Sequence, residues 1–250
     1  MAIQWGDRGA SIVDPIVKAG VPVVTLRYGS SAFAADWLEL SGKVLTGRES
    51  RGMELAARFR AARAKAAEAA AAIPEKQRPK VVFLYRTQGN SYQVAGSNTS
   101  MDSDIELAGG INVAARLPGF VQVGVEQLLA WSPDLILLNN FEKDLRPDLL
   151  LGNALLAKLP AVKEKRVYVY PRGGFRWDPP SQESPLTWRW LQTLFHPDVK
   201  RDDALRAEIA GHYQLLYGYS PTDQDIDAVL RIDENGGSRH YLEKFAKRKN

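Results

Sequence analysis

Four stretches gather residue types able to grip an anionic or ring-shaped molecule. They are "RYG" at Arg27 and Tyr28, "YRTQ" with Tyr85, Arg86 and Gln88, "NN" at Asn139 and Asn140, and "PRGGFRW" with Arg172, Phe175, Arg176 and Trp177. Guanidinium forks can hold carboxylate, catecholate or propionate oxygens, and aromatic faces can cover apolar rings. Each stretch follows a run that reads as a strand, and open parallel α/β sheets collect ligands beyond the carboxyl ends of their strands. Taken singly, a Tyr or Trp there is ordinarily packing and an Arg ordinarily solvated; convergence from several strand ends is what nominates the set. Tyr92, in "TQGNSYQVAGSN", joins it as part of a long loop after a strand. Trp188 and Trp190, set among Leu186, Leu191 and Leu194 on a helical pattern, read as core.

Other chemistries find little footing. With no cysteine there is no disulfide or thiolate metal site, and His196, His212 and His240 lack close ligand spacing, so no protein-built metal site and no cofactor is expected. Asp102, Asp104 and Glu106 in "SMDSDIE" bracket a helix start, where acidic residues are favoured as caps. "LAGGIN" and "ENGGS" are glycine turns without the spacing of a phosphate cradle. No Ser-His-Asp order stands out, and catalysis is the minority reading.

The elements that would position these residues follow from apolar patterning. "GVPVVTLRYG" reads as a strand between "SIVDPIVKAG", a short helix closing at Gly20, and "SAFAADWLELSGKVL", a helix capped by Ser30 or Ser31. From Arg48 to Ile73 strong helix formers predict one long helix, with Leu55, Phe59, Ala62, Ala66, Ala69 and Ile73 as its buried stripe, ended by Pro74. Then "KVVFLY", "DLILLNN" and "RVYVYP" read as strands, separated by helices in "SDIELAGGINVAARL", "VEQLLAWS" and "LLGNALLAKLPAV". Nearly continuous apolar strands alternating with helices predict a parallel sheet covered on both faces. Helices follow from Pro185, Asp202 and Pro221.

Composition agrees with a globular chain: 250 residues, 45% hydrophobic and 25% charged. The formal charge of +4 and a pI near 9.2 come from scattered Arg and Lys and the tail "KFAKRKN", so nucleic acid is not an expected partner. No apolar run reaches the roughly 18 residues of a membrane span, and "MAIQWGDRGASIVDPIV", with no basic region before an apolar core, is not expected to act as a signal segment.

"LAGGINVAA", "VGVEQLLAWSPDLILLNN", "RVYVYPRGGFRWDPPSQESPLTWRWLQTLFHPD" and "HYQLLYGYSPTDQDIDAVL" resemble, in that order, the second half of the substrate-binding proteins of bacterial ABC importers for iron complexes. "GVPVV" and the long helix resemble the end of that family's first lobe and the rigid helix joining its lobes. The resemblance implies an α/β, bilobal periplasmic-binding-protein fold with parallel sheets joined by one long helix. The expected division is a remnant of the first lobe over 1–47, the inter-lobe helix over 48–74, the second lobe over 79–198, and C-terminal helices with a basic tail over 199–250. Before the long helix the sequence offers a single strand and two short helices, so the first lobe is expected to be incomplete, its missing strands upstream of Met1 or on another chain.

The resemblance further implies non-catalytic capture of an iron chelate, a ferric siderophore or haem, in the cleft between the lobes and its delivery to a membrane permease. Glu126, by its own position, offsets the macrodipole in the first turn of a helix; the resemblance makes it the residue that pairs with permease arginines. Localisation by resemblance is periplasmic or as a cell-surface lipoprotein. The competing class is a cytosolic enzyme or sensor on a similar parallel-sheet fold.

Overall fold

The computed structural model describes residues 1–6, 10–27, 30–45, 47–196 and 203–247. The chain opens with β1 (Ala2–Trp5), α1 (Ala10–Lys18) and β2 (Val23–Leu26), a unit whose two strands pair in parallel from Ala2↔Val23 to Trp5↔Leu26. Strand β1 was not legible in the sequence, which suggested one strand in this section. A 3-10 turn, Ser31–Phe33, follows, with the Ser30 hydroxyl accepting from Ala32 N at 3.2 Å, and runs into α2 (Ala34–Val44). Helix α3 (Glu49–Ala71) crosses α2 so closely that a Cβ on Gly42 would lie 2.7 Å from the Gly52 Cα. That approach turns α3: its buried residues are Gly52, Ala56, Phe59, Ala66 and Ala70, while Ala69 of the expected stripe is exposed. Small residues decide the face because backbones can meet only there. Arg78 closes the helix, donating from Nε to Ile73 O and from Nη2 to Ala70 O.

The second sheet is built from β3 (Lys80–Gln88), β4 (Ser91–Ala95), β5 (Ile111–Asn112), β6 (Phe120–Gly124), β7 (Leu135–Leu138) and β8 (Val167–Val169). Its order is β6-β4-β3-β7-β8, with β5 beside the start of β3. Strands β3, β7 and β8 are parallel, as their apolar runs predict, whereas β4 pairs antiparallel with both β3 and β6. The sheet is therefore parallel through β3, β7 and β8, as expected, with an antiparallel edge of β4 and β6 that the sequence reading did not include. The physical reason is the two-residue loop Gly89-Asn90, with Gly89 at φ 59°, a turn of the II′ kind that folds β3 straight back.

Helices α4 (Ser100–Leu107) and α5 (Val125–Trp131) cover opposite faces of this sheet, followed by α6 (Pro147–Leu151) and α7 (Pro160–Lys163). The single helix expected over "LLGNALLAKLPAV" is thus two short ones, parted at Gly152-Asn153 and restarted by Pro160. One core joins Val81, Phe83 and Leu137 to α8 (Ser184–Phe195), α9 (Asp203–Tyr217), α10 (Asp223–Val229) and α12 (Tyr241–Phe245); the other joins Val82, Leu84 and Ile136 to α5, α6 and α7. Helix α11 (Ile232–Asn235) guards the edge strand: Asn235 Oδ1 accepts from Val169 N at 2.8 Å and its Nδ2 donates to Val169 O at 3.0 Å. A third cluster of Ala34, Ala35, Ala56, Phe59, Ala66, Leu107 and Trp188 fastens α2 and α3 to α4 and α8. Asp104 lies in that joint rather than at a cap, accepting from Trp188 Nε1 at 2.7 Å, and Trp188 and Trp190 are core. The N-cap is Thr99. Among the described residues no helix is long and apolar enough to cross a membrane.

Candidate ligand-binding site

The carboxyl ends of β3, β7 and β8 share one rim of the sheet. Where β3 leaves β7 it carries a β-bulge: Leu84 pairs with Val94, yet Arg86 pairs with Gln93, so Tyr85 is the extra residue. A bulge re-aims side chains by interrupting strict alternation. Here the Arg86 guanidinium lies 5.4 Å over the Tyr85 ring, and that ring meets Phe120 at 4.5 Å and Phe141 at 5.3 Å. Asn139 braces the bulge: its Nδ2 donates to Tyr85 O, while its Oδ1 accepts from Phe141 N at 3.1 Å and Glu142 N at 2.9 Å.

After β8 the chain turns in a narrow hairpin. Arg172 and Arg176 form an antiparallel bridge and Gly173 N donates to Phe175 O at 2.9 Å. Residues directly opposite in such a pair project on the same side, so two guanidinium groups leave one face together. Like charges so placed repel unless an anion joins them. The Arg176 guanidinium continues the ring surface, 4.4 Å over Phe141. Among the described residues no carboxylate pairs with Arg86 or Arg172. Asp178 is buried beside the hairpin with Oδ1 3.7 Å from Arg176 Nε; burial pushes its carboxyl up to about 6, against the pull of Arg176. The result is a rim of Tyr85, Phe120, Phe141, Arg86, Arg172 and Arg176, with Phe175 exposed at the hairpin tip. It offers positive charge and ring faces at once.

Several nominated residues serve the interior instead. Tyr92 lies in β4 and not in a loop; it is 4% exposed and packed in the core under α5, because alternation along the hairpin points it inward. Trp177 is fully buried and donates Nε1 to Glu183 at 2.7 Å. Asn140 is 6% exposed and donates to Pro171 O at 2.7 Å, so with Asn139 it shapes the rim from beneath. Gln88 is exposed beside the hairpin turn. Arg27 stands at the end of β2, its guanidinium 4.3 Å over Phe33, with no described contact to the rim; Tyr28 lies outside the described residues. Sequence reasoning missed Phe120 and Phe141, although Phe141 directly follows the nominated Asn140.

A cavity of about 310 Å³ borders the rim, lined by Asn139, Asn140, Phe141, Val169 and Arg231. A larger hollow of about 670 Å³ lies among α3, α8 and α9, lined by Ala62, Ala66, Trp188 and Leu215, and none of its walls is a strand end. Among the described residues no group of three or more His, Asp or Glu side chains gathers to hold a metal ion.

The sequence pattern of the periplasmic binding protein family matches residues 14–172. The molybdate-binding protein MolA of Haemophilus influenzae is 33% identical over 121 residues, which are 47% of this chain and 34% of that protein. The match thus spans about a third of the curated relative's length. A periplasmic solute binding protein from Veillonella parvula superposes with a TM-score of 0.80 over 94% of this chain and 70% of its own, at 30% identity. The periplasmic heme-binding protein RhuT from Roseiflexus sp. RS-1 follows at a TM-score of 0.62 and 28% identity, over 75% of this chain and 71% of its own. With that pattern on more than half its length and that fold on nearly all of it, the chain belongs to the periplasmic binding protein family.

Proposed function

We propose that this chain is the substrate-binding component of an ABC importer that captures an iron chelate, a ferric siderophore or haem, and hands it to the membrane permease from the periplasm or the outer cell surface. The observation that carries the reading is the rim: rings of Tyr85, Phe120 and Phe141 continuous with the guanidinium groups of Arg86 and Arg176. A flat chelate covers ring faces and brings carboxylate or catecholate oxygens to paired arginines. Binding is non-covalent and the metal arrives already held by its chelator. Glu126 serves the permease: it is exposed in the first turn of α5, just after β6 ends beside the β3–β4 turn, and so stands on the same side of the lobe as the rim.

A second reading has its own support. The 33% identity to a molybdate-binding protein favours a small oxyanion, which Arg172 and Arg176 could hold without the rings. The two readings separate in a tryptophan-fluorescence titration, with inner-filter controls, against haem, ferric catecholate and hydroxamate siderophores, and molybdate. Saturable quenching by an iron chelate, weakened at least about tenfold in Arg176→Ala, is expected, since one lost charge-assisted contact costs about 1.5–3 kcal/mol. Saturation by molybdate alone would replace the chelate with an oxyanion, and silence toward all of them in the folded protein would remove both.

A further inference from the structure

We propose that Glu183 is the positioning residue of this site: its buried carboxylate fixes the 171–177 hairpin so that Arg172 and Arg176 meet the ligand as a pair. The inference rests on the reading of the rim as the ligand site. Glu183 precedes α8 and is fully buried, so it contacts no ligand itself. Four donors converge on it: Oε1 accepts from Phe175 N at 3.2 Å and Tyr217 Oη at 2.5 Å, and Oε2 from Trp177 Nε1 at 2.7 Å and Tyr213 Oη at 3.2 Å. That number matches what an ionised carboxylate can accept. Tyr213 also accepts from Gly174 N at 3.0 Å, so three residues of the hairpin are tied to α8 and α9 through one cluster.

The hairpin glycines exist for this closure. A Cβ on Gly173 would lie 2.0 Å from Glu183 Oε2 and 2.1 Å from Tyr213 Oη, and one on Gly174 would lie 2.9 Å from Glu183 Oε1. Apart from the cluster the hairpin is held at its base, by Asn140 Nδ2 to Pro171 O and Arg172 N to Val229 O, and at Trp177 O, which accepts from Thr187 Oγ1 at 3.2 Å. The Glu183 bonds to residues 175 and 177 tie the second arm, which carries Arg176, to the start of α8. Burial, and then the Glu183 charge, push the phenols of Tyr213 and Tyr217 well above the ordinary tyrosine range, which keeps both as donors.

Glu183→Gln is the discriminating variant because it preserves shape and removes one acceptor oxygen. A tyrosine hydroxyl can turn to accept from the new amide, but the Trp177 indole and the Phe175 backbone N–H cannot. Whichever way the amide lies, one fixed donor loses its partner. In Glu183→Gln, amide hydrogen exchange at residues 173–177 is expected to rise at least about tenfold while β7 and the interior of α8 stay unchanged. Affinity for the ligand found by titration should fall at least about tenfold, and Arg176→Ala should cost little more in Glu183→Gln than that variant has already lost. Unchanged exchange at 173–177, exchange rising equally through α8 and β7, or losses that simply add would each overturn the proposal. Should Glu183→Gln fail to fold, Tyr213→Phe, which breaks the link from Gly174 N through the phenol to Glu183, decides on the same readings, with exchange expected to rise at Gly174 first. Where the wild type binds none of the ligands, the function reading fails and the exchange measurement still decides the positioning role.

Discussion

Asp104 offers a quantitative test of how the α2–α3 pair is joined to the rest of the protein. Its carboxyl is 1% exposed, accepts from Trp188 Nε1 at 2.7 Å, and sits where the Phe59 and Trp188 rings meet edge-on at 5.2 Å. Burial pushes its pKa from the ordinary carboxylate range up to about 7, with the Trp188 hydrogen bond pulling the other way. In the unfolded chain the group ionises near its ordinary value; in the native joint it keeps its proton until neutral pH. Native protein therefore binds more protons than unfolded protein between about pH 4 and 7, and stability falls as pH rises through that window. A gap of about three pH units corresponds to ~4 kcal/mol, fully lost above pH 7 and fully present below pH 4.

Asp104→Asn removes the titration while its side-chain oxygen still accepts from Trp188. Urea unfolding of both proteins at pH 4.5, 6 and 7.5 should show midpoints close together at the lowest pH and the variant ahead by roughly 1.5–2 M at the highest, for an m of about 2–3 kcal/mol/M. Asp178, pushed up to about 6 by burial, adds a slope of the same sign to both proteins and cancels in the comparison. Parallel pH profiles, with a constant offset between the two, would refute the reasoning, because a buried carboxyl that ionises normally in the native state cannot produce a pH-dependent difference.

Two further outcomes follow from the surface and the helix crossing. Glu126→Arg should abolish permease-dependent uptake and leave ligand affinity unchanged; a fall in affinity would show that this helix start belongs to the ligand site. Gly42→Ala should destabilise by about 1–3 kcal/mol despite the helix propensity gained, because the new Cβ meets the Gly52 Cα at 2.7 Å and the Arg48 carbonyl at 2.9 Å; an unchanged urea midpoint would mean that α2 and α3 part without cost.

The sequence spoke most clearly where burial is two-sided. Strands β3, β7 and β8 are continuous apolar runs, and α10 carries its capping box openly, Thr222 with Asp225. Strands β4 and β6 were silent because "SYQVA" and "FVQVG" are short, half-polar and flanked by glycine, although Gly89-Asn90 between alternating residues was a hairpin signal to be read. The strand-end rule located the rim but not which residues face outward. It picked Asn139, Asn140 and Trp177 by chemistry, and burial assigned them to the scaffold, while Phe120 escaped because β6 was not read as a strand and Phe141 because the selection after β7 stopped at Asn140. Glu183 was hidden for a different reason: within "SQESP" nothing local announces that four donors from residues 175, 177, 213 and 217 will converge on it.

The rim owes its character to irregular backbone laid on a regular sheet. Up to Leu84, β3 alternates between two cores and every side chain has an assigned face. Without the extra residue at Tyr85, each later side chain of the strand would take the opposite face. The bulge instead sets ring and guanidinium side by side, and the Asn139 amide satisfies the carbonyl that the bulge withdraws from the ladder. A hairpin carrying two opposed arginines repeats the arrangement after β8, two strands away, with Glu183 taking the part of Asn139. In both places a buried polar side chain holds a backbone irregularity, and the irregularity aims a cation at the same ring. That shared logic is the reason to treat Arg86, Phe141 and Arg176 as one surface rather than as neighbours by chance.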